Sequence, residues 1–146
     1  MRTRGICPEI YRTVEIIGRR SDGIVMFLSD VLRKKYGVGM GTVLMNWTSI
    51  YFETARMDIV RVGHSRDHWL DKPQVTVGLS IDKVLRMPVG LTNMPGNVLD
   101  VTHFKETLAQ IRALPSNDAI IVFDNGAYSK ENSALLDGGM GFVTHM

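Results

Sequence analysis

An order of patterns constrains the fold more than any single motif. Three runs rich in branched and aromatic residues come in succession: "TVLMNWTSIYFE" (Thr42–Glu53), "QVTVGLSI" (Gln74–Ile81) and "MPVGLTNMPG" (Met87–Gly96). Each reads as a strand, because such side chains fit a pleated, half-buried surface. A helix follows, with Asp100 or Thr102 as its cap and Phe104, Leu108, Ile111 and Leu114 as its buried face. "AIIVFD" (Ala119–Asp124) is a short, wholly apolar strand of the kind buried on both faces. "SKENSALLDGG" is a helix capped by Ser129 and closed by Gly138-Gly139, and "MGFVTHM" begins a further strand.

The chain before Thr42 reads as helical. In "SDGIVMFLSDVLRKKYG", Ile24, Phe27, Leu28, Val31, Leu32 and Tyr36 fall on one helix face. Ser21 or Asp22 can cap its start, Arg33, Lys34 and Lys35 suit its carboxyl end, and Gly37 stops it. A shorter helix is expected over Pro8–Arg19, and "GVGMG" lets the chain turn. Between the first two strands lies a polar connection too long for a tight hairpin, so the three strands suggest an antiparallel meander. Two helices, three antiparallel strands, then helix, strand, helix and strand is the order of the RNase H-like α/β fold, here incomplete. The expected division is a helical amino-terminal segment over 1–42 and a partial RNase H-like domain over 43–146.

The 146 residues suit one domain with a single core. No apolar run is long enough to cross a bilayer, and one cysteine, Cys7, excludes an internal disulfide. The net charge of +2 hides an asymmetry: residues 1–42 carry eight Lys/Arg against four Asp/Glu, so the remainder sums to −2. A basic segment on a mildly acidic body can touch a polyanion. Eight spread charges also fit a plain solvated helix surface.

Two polar residues stand out against the apolar strands. Asp124 ends a buried strand just before the turn "NG". It either sits at the mouth of the sheet, where α/β folds bind ligands and metals, or merely caps the turn by an Asx hydrogen bond. Asn46 lies between Met45 and Trp47 inside the first strand. It either pairs with a neighbouring backbone group or Thr48, or stands beside Asp124, because the first and fourth strands of an RNase H-like sheet are neighbours. Two-metal phosphodiester chemistry needs acids at such a meeting point, holding two cations roughly 4 Å apart. His64, His68, His103 and His145 lack a metal-site pattern; "GHSRDHW" reads as a loop without the glutamate of an HExxH helix.

Four stretches, in order, resemble the catalytic domain of insertion-sequence transposases of the DDE class, the IS-four group in particular. "NWTSIYFET" is similar to the family's D-x-T-x-x-(Y/F)-F-E strand, and "GHSRDHWLDKPQVTVGL" to its G-(Y/H)-S-K-D-x-x-x-D-x-x-Q segment. "VGLTNMPGNVLD" matches P-G-N-x-x-D, and "VFDNGAYSKEN" matches D-R-G-(M/F)-x-S-x-E-N. The resemblance makes Asp124 the second catalytic acid and places Asn46 at the first, where the family has a carboxylate. It implies Mg²⁺, with Mn²⁺ as a substitute, at Asp124 and Asn46, held weakly or not at all here because Asn46 is neutral. The third acid, a glutamate after a β-rich insertion, has no counterpart in this sequence, and Glu131 does not replace it. The implied partner is DNA, specifically transposon ends, contacted through Arg19, Arg20, Arg33, Lys34 and Lys35. Homo-oligomers, or mixed oligomers with intact transposase, are also implied, as is a cytoplasmic, nucleoid-associated location away from membranes. The resemblance thus implies a truncated transposase inactive on its own. A non-catalytic fragment that inhibits the intact enzyme and a decayed reading frame stand as alternatives.

Overall fold

The computed structural model describes residues 7–37, 41–54, 57–63, 72–112, 119–136 and 139–144. Among them, two amino-terminal helices, α1 (Pro8–Arg19) and α2 (Ser21–Tyr36), precede strand β1 (Thr42–Tyr51). Then come β2 (Arg61–Val62), β3 (Pro73–Asp82), β4 (Pro88–Pro95), α3 (Asp100–Arg112), β5 (Ile120–Phe123), α4 (Lys130–Leu136) and β6 (Gly141–Thr144). The helices and long strands match the sequence reading closely. The two-residue β2 was not expected: it lies in the connection read as polar and too long for a tight hairpin, pairs with Gln74 and Pro73, and follows the fully buried Val60.

The sheet runs β2-β3-β1-β5-β6, with β4 also paired to β3. β1, β3 and β4 form the antiparallel meander, while β5 joins β1 in parallel and β6 joins β5 in parallel. A central first strand, an antiparallel pair on one side and two parallel strands on the other define the RNase H-like topology. The chain folds this way because the antiparallel strands need only turns, whereas each parallel step requires a crossover, supplied by α3 and α4.

Alternation along the strands separates the two faces. Val43, Met45 and Trp47 of β1 join Ile121 and Phe123 of β5 in the core, against Phe104, Leu108 and Ile111 of α3 and Leu136 of α4. Phe104 packs on Phe123 with ring centroids 4.8 Å apart and on Trp47 at 6.1 Å. The intervening residues Asn46, Thr48, Leu79, Leu91 and Ile120 are exposed on the opposite face.

In the amino-terminal helices one expectation is not met. Neither Ser21 nor Asp22 caps α2: the N-cap is Arg20, without a side-chain bond. Arg20 lies directly after α1, and its carbonyl accepts from the Ile24 N–H at 3.0 Å, so little of the helix start is left open to cap. The face read from the periodicity is largely turned away from the core. Of its residues only Leu32 touches the core, while Ile24, Phe27, Leu28, Val31 and Tyr36 are exposed. α2 instead docks through buried Ser29, whose hydroxyl donates to the Val89 carbonyl of β4 at 3.0 Å.

Candidate functional site

The parallel pairing of β1 with β5 runs Thr42 to Ile120, Val43 to Ile121 and Leu44 to Val122. Carried on by two residues, this register runs to Asn46 on β1 and to Asp124, the residue just past the end of β5. Both then fall at the carboxyl end of β5 and, by the period of two, toward the same open face. Both are exposed. The Asn46 side-chain oxygen accepts from the Trp47 backbone N–H at 2.9 Å, the neighbouring-backbone pairing considered from the sequence. Asp124 has extended backbone angles and begins the short 3₁₀ turn Asn125–Ala127, but its side chain does not cap that turn.

A second carboxylate lies beside the first. A methyl group placed at Gly126 would lie 3.2 Å from Asp100 Oδ2 and 3.3 Å from Asp124 Oδ1, so both acids border one small space. Asp100 opens α3, where the helix dipole favours a negative charge. Sequence reasoning offered Asp100 only as a cap; the signal available was its place at the end of P-G-N-x-x-D.

Buried Asn132 fastens this corner. Its amide nitrogen donates to the Val101 carbonyl at 2.9 Å and to the Ala127 carbonyl at 2.8 Å, tying the turn after Asp124 to the first turn of α3. Ser129 caps α4 as expected, accepting from the Asn132 N–H at 3.0 Å. Glu131 is drawn into the same cap: its own backbone N–H, and then the Ser129 hydroxyl, hold its carboxyl below the ordinary value. The P-G-N turn is fixed by close packing. A Cβ on Gly96 would come within 2.1 Å of the Gln74 carbonyl oxygen, and one on Gly63 within 1.9 Å of the Gly96 carbonyl oxygen. Two of the quoted motifs therefore meet glycine to glycine.

Beneath the open face runs a buried polar chain. The Trp47 indole N–H donates to Thr107 Oγ1 at 3.2 Å, and Thr107 donates to the His103 carbonyl at 3.1 Å. Thr92 Oγ1 lies 3.0 Å from Thr107 Oγ1 and 2.8 Å from His103 Nε2. With the Thr107 proton committed to that carbonyl, the Thr92 hydroxyl has Thr107 Oγ1 and, at 3.5 Å, the Gly78 carbonyl as acceptors, and with its proton on either one His103 donates to it from Nε2. Burial pushes the His103 pKa down to about 4, against a smaller opposing pull from Asp100, so the ring is neutral at pH 7.

The five basic residues named from the sequence do not form one patch. Arg19 is bound to Glu15 at 2.8 Å, Arg33 and Lys34 share Asp30, and Lys35 lies 5.2 Å from the centre of the Tyr36 ring. Arg19 and Arg20 stand at the α1–α2 junction and the other three at the far end of α2, about 20 Å away at 1.5 Å per residue. His64, His68 and His145 lie outside the described residues.

A divalent cation of the Mg²⁺ type needs near-octahedral oxygen coordination and usually keeps several waters. Among the described residues no three metal-ligating side chains come together. Asp100 and Asp124 supply two carboxylates, while the Asn46 oxygen already accepts from Trp47. This donor set does not fit a two-metal centre. No family model and no curated protein matches the chain. Among solved structures it resembles the Mos1 transposase paired-end complex with left transposon end, at 14% identity and a TM-score of 0.49, over 86% of this chain. The matched region spans 41% of that chain. A likeness this remote carries no functional argument, and the strand order alone supports the fold.

Proposed function

We propose that the chain is an RNase H-like module of transposase type that contacts DNA and does not cleave it unaided. The observation that supports this reading is the register of β1 on β5, which carried on by two residues brings Asn46 level with Asp124, with Asp100 bordering the same small space as Asp124. This is where strand-transfer enzymes of this fold class need metal-binding acids, and the described residues of the motifs that resemble the family lie toward the same end of the sheet. Asn46 takes one negative charge away from a site that attracts cations by charge. Binding of Mg²⁺ or Mn²⁺ at Asp124 is accordingly weak.

The DNA contact falls to Arg19, Arg20, Arg33, Lys34 and Lys35, weakened because three of them are held by acids on their own helices. Binding to duplex DNA should be sequence-tolerant and driven mainly by counterion release, so it should vanish by about 300 mM salt. The test is titration of labelled duplex over a salt series, together with a nicking assay in Mg²⁺ and Mn²⁺. Salt-sensitive binding without nicking is expected. Nicking that persists in Asp124→Ala would overturn the site, and sequence-selective binding at high salt would overturn the account of DNA contact.

A further inference from the structure

β4 is an edge strand of the sheet, and both α2 and α3 pack against it. A strand edge presents backbone groups that another chain can pair with. Here side chains cover most of that edge. The Leu91 N–H and C=O are both held by the Gln110 amide of α3, at 3.0 and 2.9 Å, and the Val89 C=O accepts from Ser29 of α2. In an antiparallel ladder the residues whose backbone groups turn outward recur at every second position. The β3–β4 register runs without a shift from Leu91 to Pro95, so Asn93 turns its N–H and C=O outward as Leu91 does. The Pro95 C=O accepts from the Val98 N–H, but among the described residues no group meets those of Asn93.

That open pair borders a groove. A cavity of about 270 Å³ lies over Leu91, Thr92, Asn93 and Met94, and a second of about 540 Å³ continues from it between α2 and α3, over Val89. The two share Asp22, Val25, Glu106 and Gln110, so they form one channel along the strand edge. Helical spacing supplies its walls: Asp22, Val25, Met26 and Ser29 stand on one side of α2, and Glu106, Ala109 and Gln110 on one side of α3. The charge is one-sided. Asp30 is taken up by Arg33 and Lys34. Asp22 and Glu106 are exposed and form no ion pair among the described residues. Two uncompensated carboxylates at the shared part of the groove attract a cation and repel phosphate.

We propose that this groove docks an extended, basic segment of a partner protein. The segment adds a short strand at Asn93, where main-chain hydrogen bonds hold it and its side chains confer specificity. A lysine or arginine beside the paired residue reaches Asp22 and Glu106, and an apolar neighbour rests on Val25, Met26, Val89 and Ala109. A free amine would use the carboxylates and leave the Asn93 backbone bare, which is why the occupant is a peptide. The proposal is independent of the DNA contact, which falls to basic side chains.

The test is fluorescence anisotropy of a labelled, acetylated hexapeptide alternating arginine with valine, titrated with the full chain at low salt. Saturable binding is expected, weakened about tenfold or more by Asp22→Asn combined with Glu106→Gln. Both positions are exposed, so the double variant should keep the circular dichroism of the wild type. Glu131→Gln, which removes an exposed carboxylate on α4, should leave the affinity unchanged. The same peptide N-methylated along its backbone keeps its charge, cannot add a strand, and should bind far more weakly. No saturable binding, equal affinity in the double variant, or equal binding of a glutamate–valine peptide would overturn the proposal. An N-methylated peptide that binds as tightly, or displacement by butylamine at equal concentration, would overturn the peptide as occupant and leave a plain cation pocket.

Discussion

At the scale of single residues, the corner around Asp124 depends on groups that accept or donate across long sequence separations. Asn132 holds two carbonyls, Val101 O and Ala127 O, from inside the protein. Asn132→Ala should leave both without that donor and cost about 1–3 kcal/mol, read as a drop in urea midpoint at unchanged slope. An unaltered midpoint would show that the two bonds hold nothing in place. Asp124 and Asn46 were legible in the sequence because each interrupts or ends an apolar run. Asp100 and Asn132 were not, because what defines them is a neighbour supplied by the fold: a second carboxylate at Gly126 for one, two distant carbonyls for the other. The Asn46 bond to Trp47 was legible only as an alternative, since a strand amide has several backbone groups within reach.

At the scale of elements, α3 carries a polar chain that periodicity alone cannot reveal, because His103 and Thr107 occupy the same buried stripe as Phe104 and Leu108. His103 titrates near 4 in the folded protein against 6.5 when unconstrained. The unfolded chain therefore binds the proton first as pH falls below 6.5, and stability is lost between about pH 7 and pH 4, up to about 3 kcal/mol. Denaturant titrations across that range should show the slope, and His103→Gln should flatten it while lowering stability at pH 7. A slope unchanged by the substitution would assign it to other groups. Gly96 makes a second element-scale prediction. A Cβ there meets the Gln74 carbonyl group of β3 as well as the Gln74 side chain, and the backbone cannot step aside, so Gly96→Ala should separate the P-G-N turn from β3 and lower the melting temperature by several degrees. What covers the α2 stripe was not legible in the sequence, because apolar periodicity names a helix face and not the surface it meets.

At the scale of the whole molecule, the sheet order followed from the sequence of patterns: three adjacent strand-like runs, then alternation of helix and strand. The two-residue β2 escaped because so short a pairing leaves no pattern. What no local pattern contains is the register of β1 against β5, two strands about seventy residues apart that meet only through the crossover. That register, paired as far as Leu44 and Val122 and carried on by two residues, is what brings Asn46 level with Asp124. It is tested most directly by a thermodynamic cycle of Mn²⁺ binding on the wild type, Asn46→Asp, Asp124→Ala and the double variant. The account predicts that Asn46→Asp tightens binding by about tenfold or more without producing nicking, and that the gain disappears when Asp124 is alanine. A gain that persists in the Asp124→Ala background, or no gain at all, would contradict it.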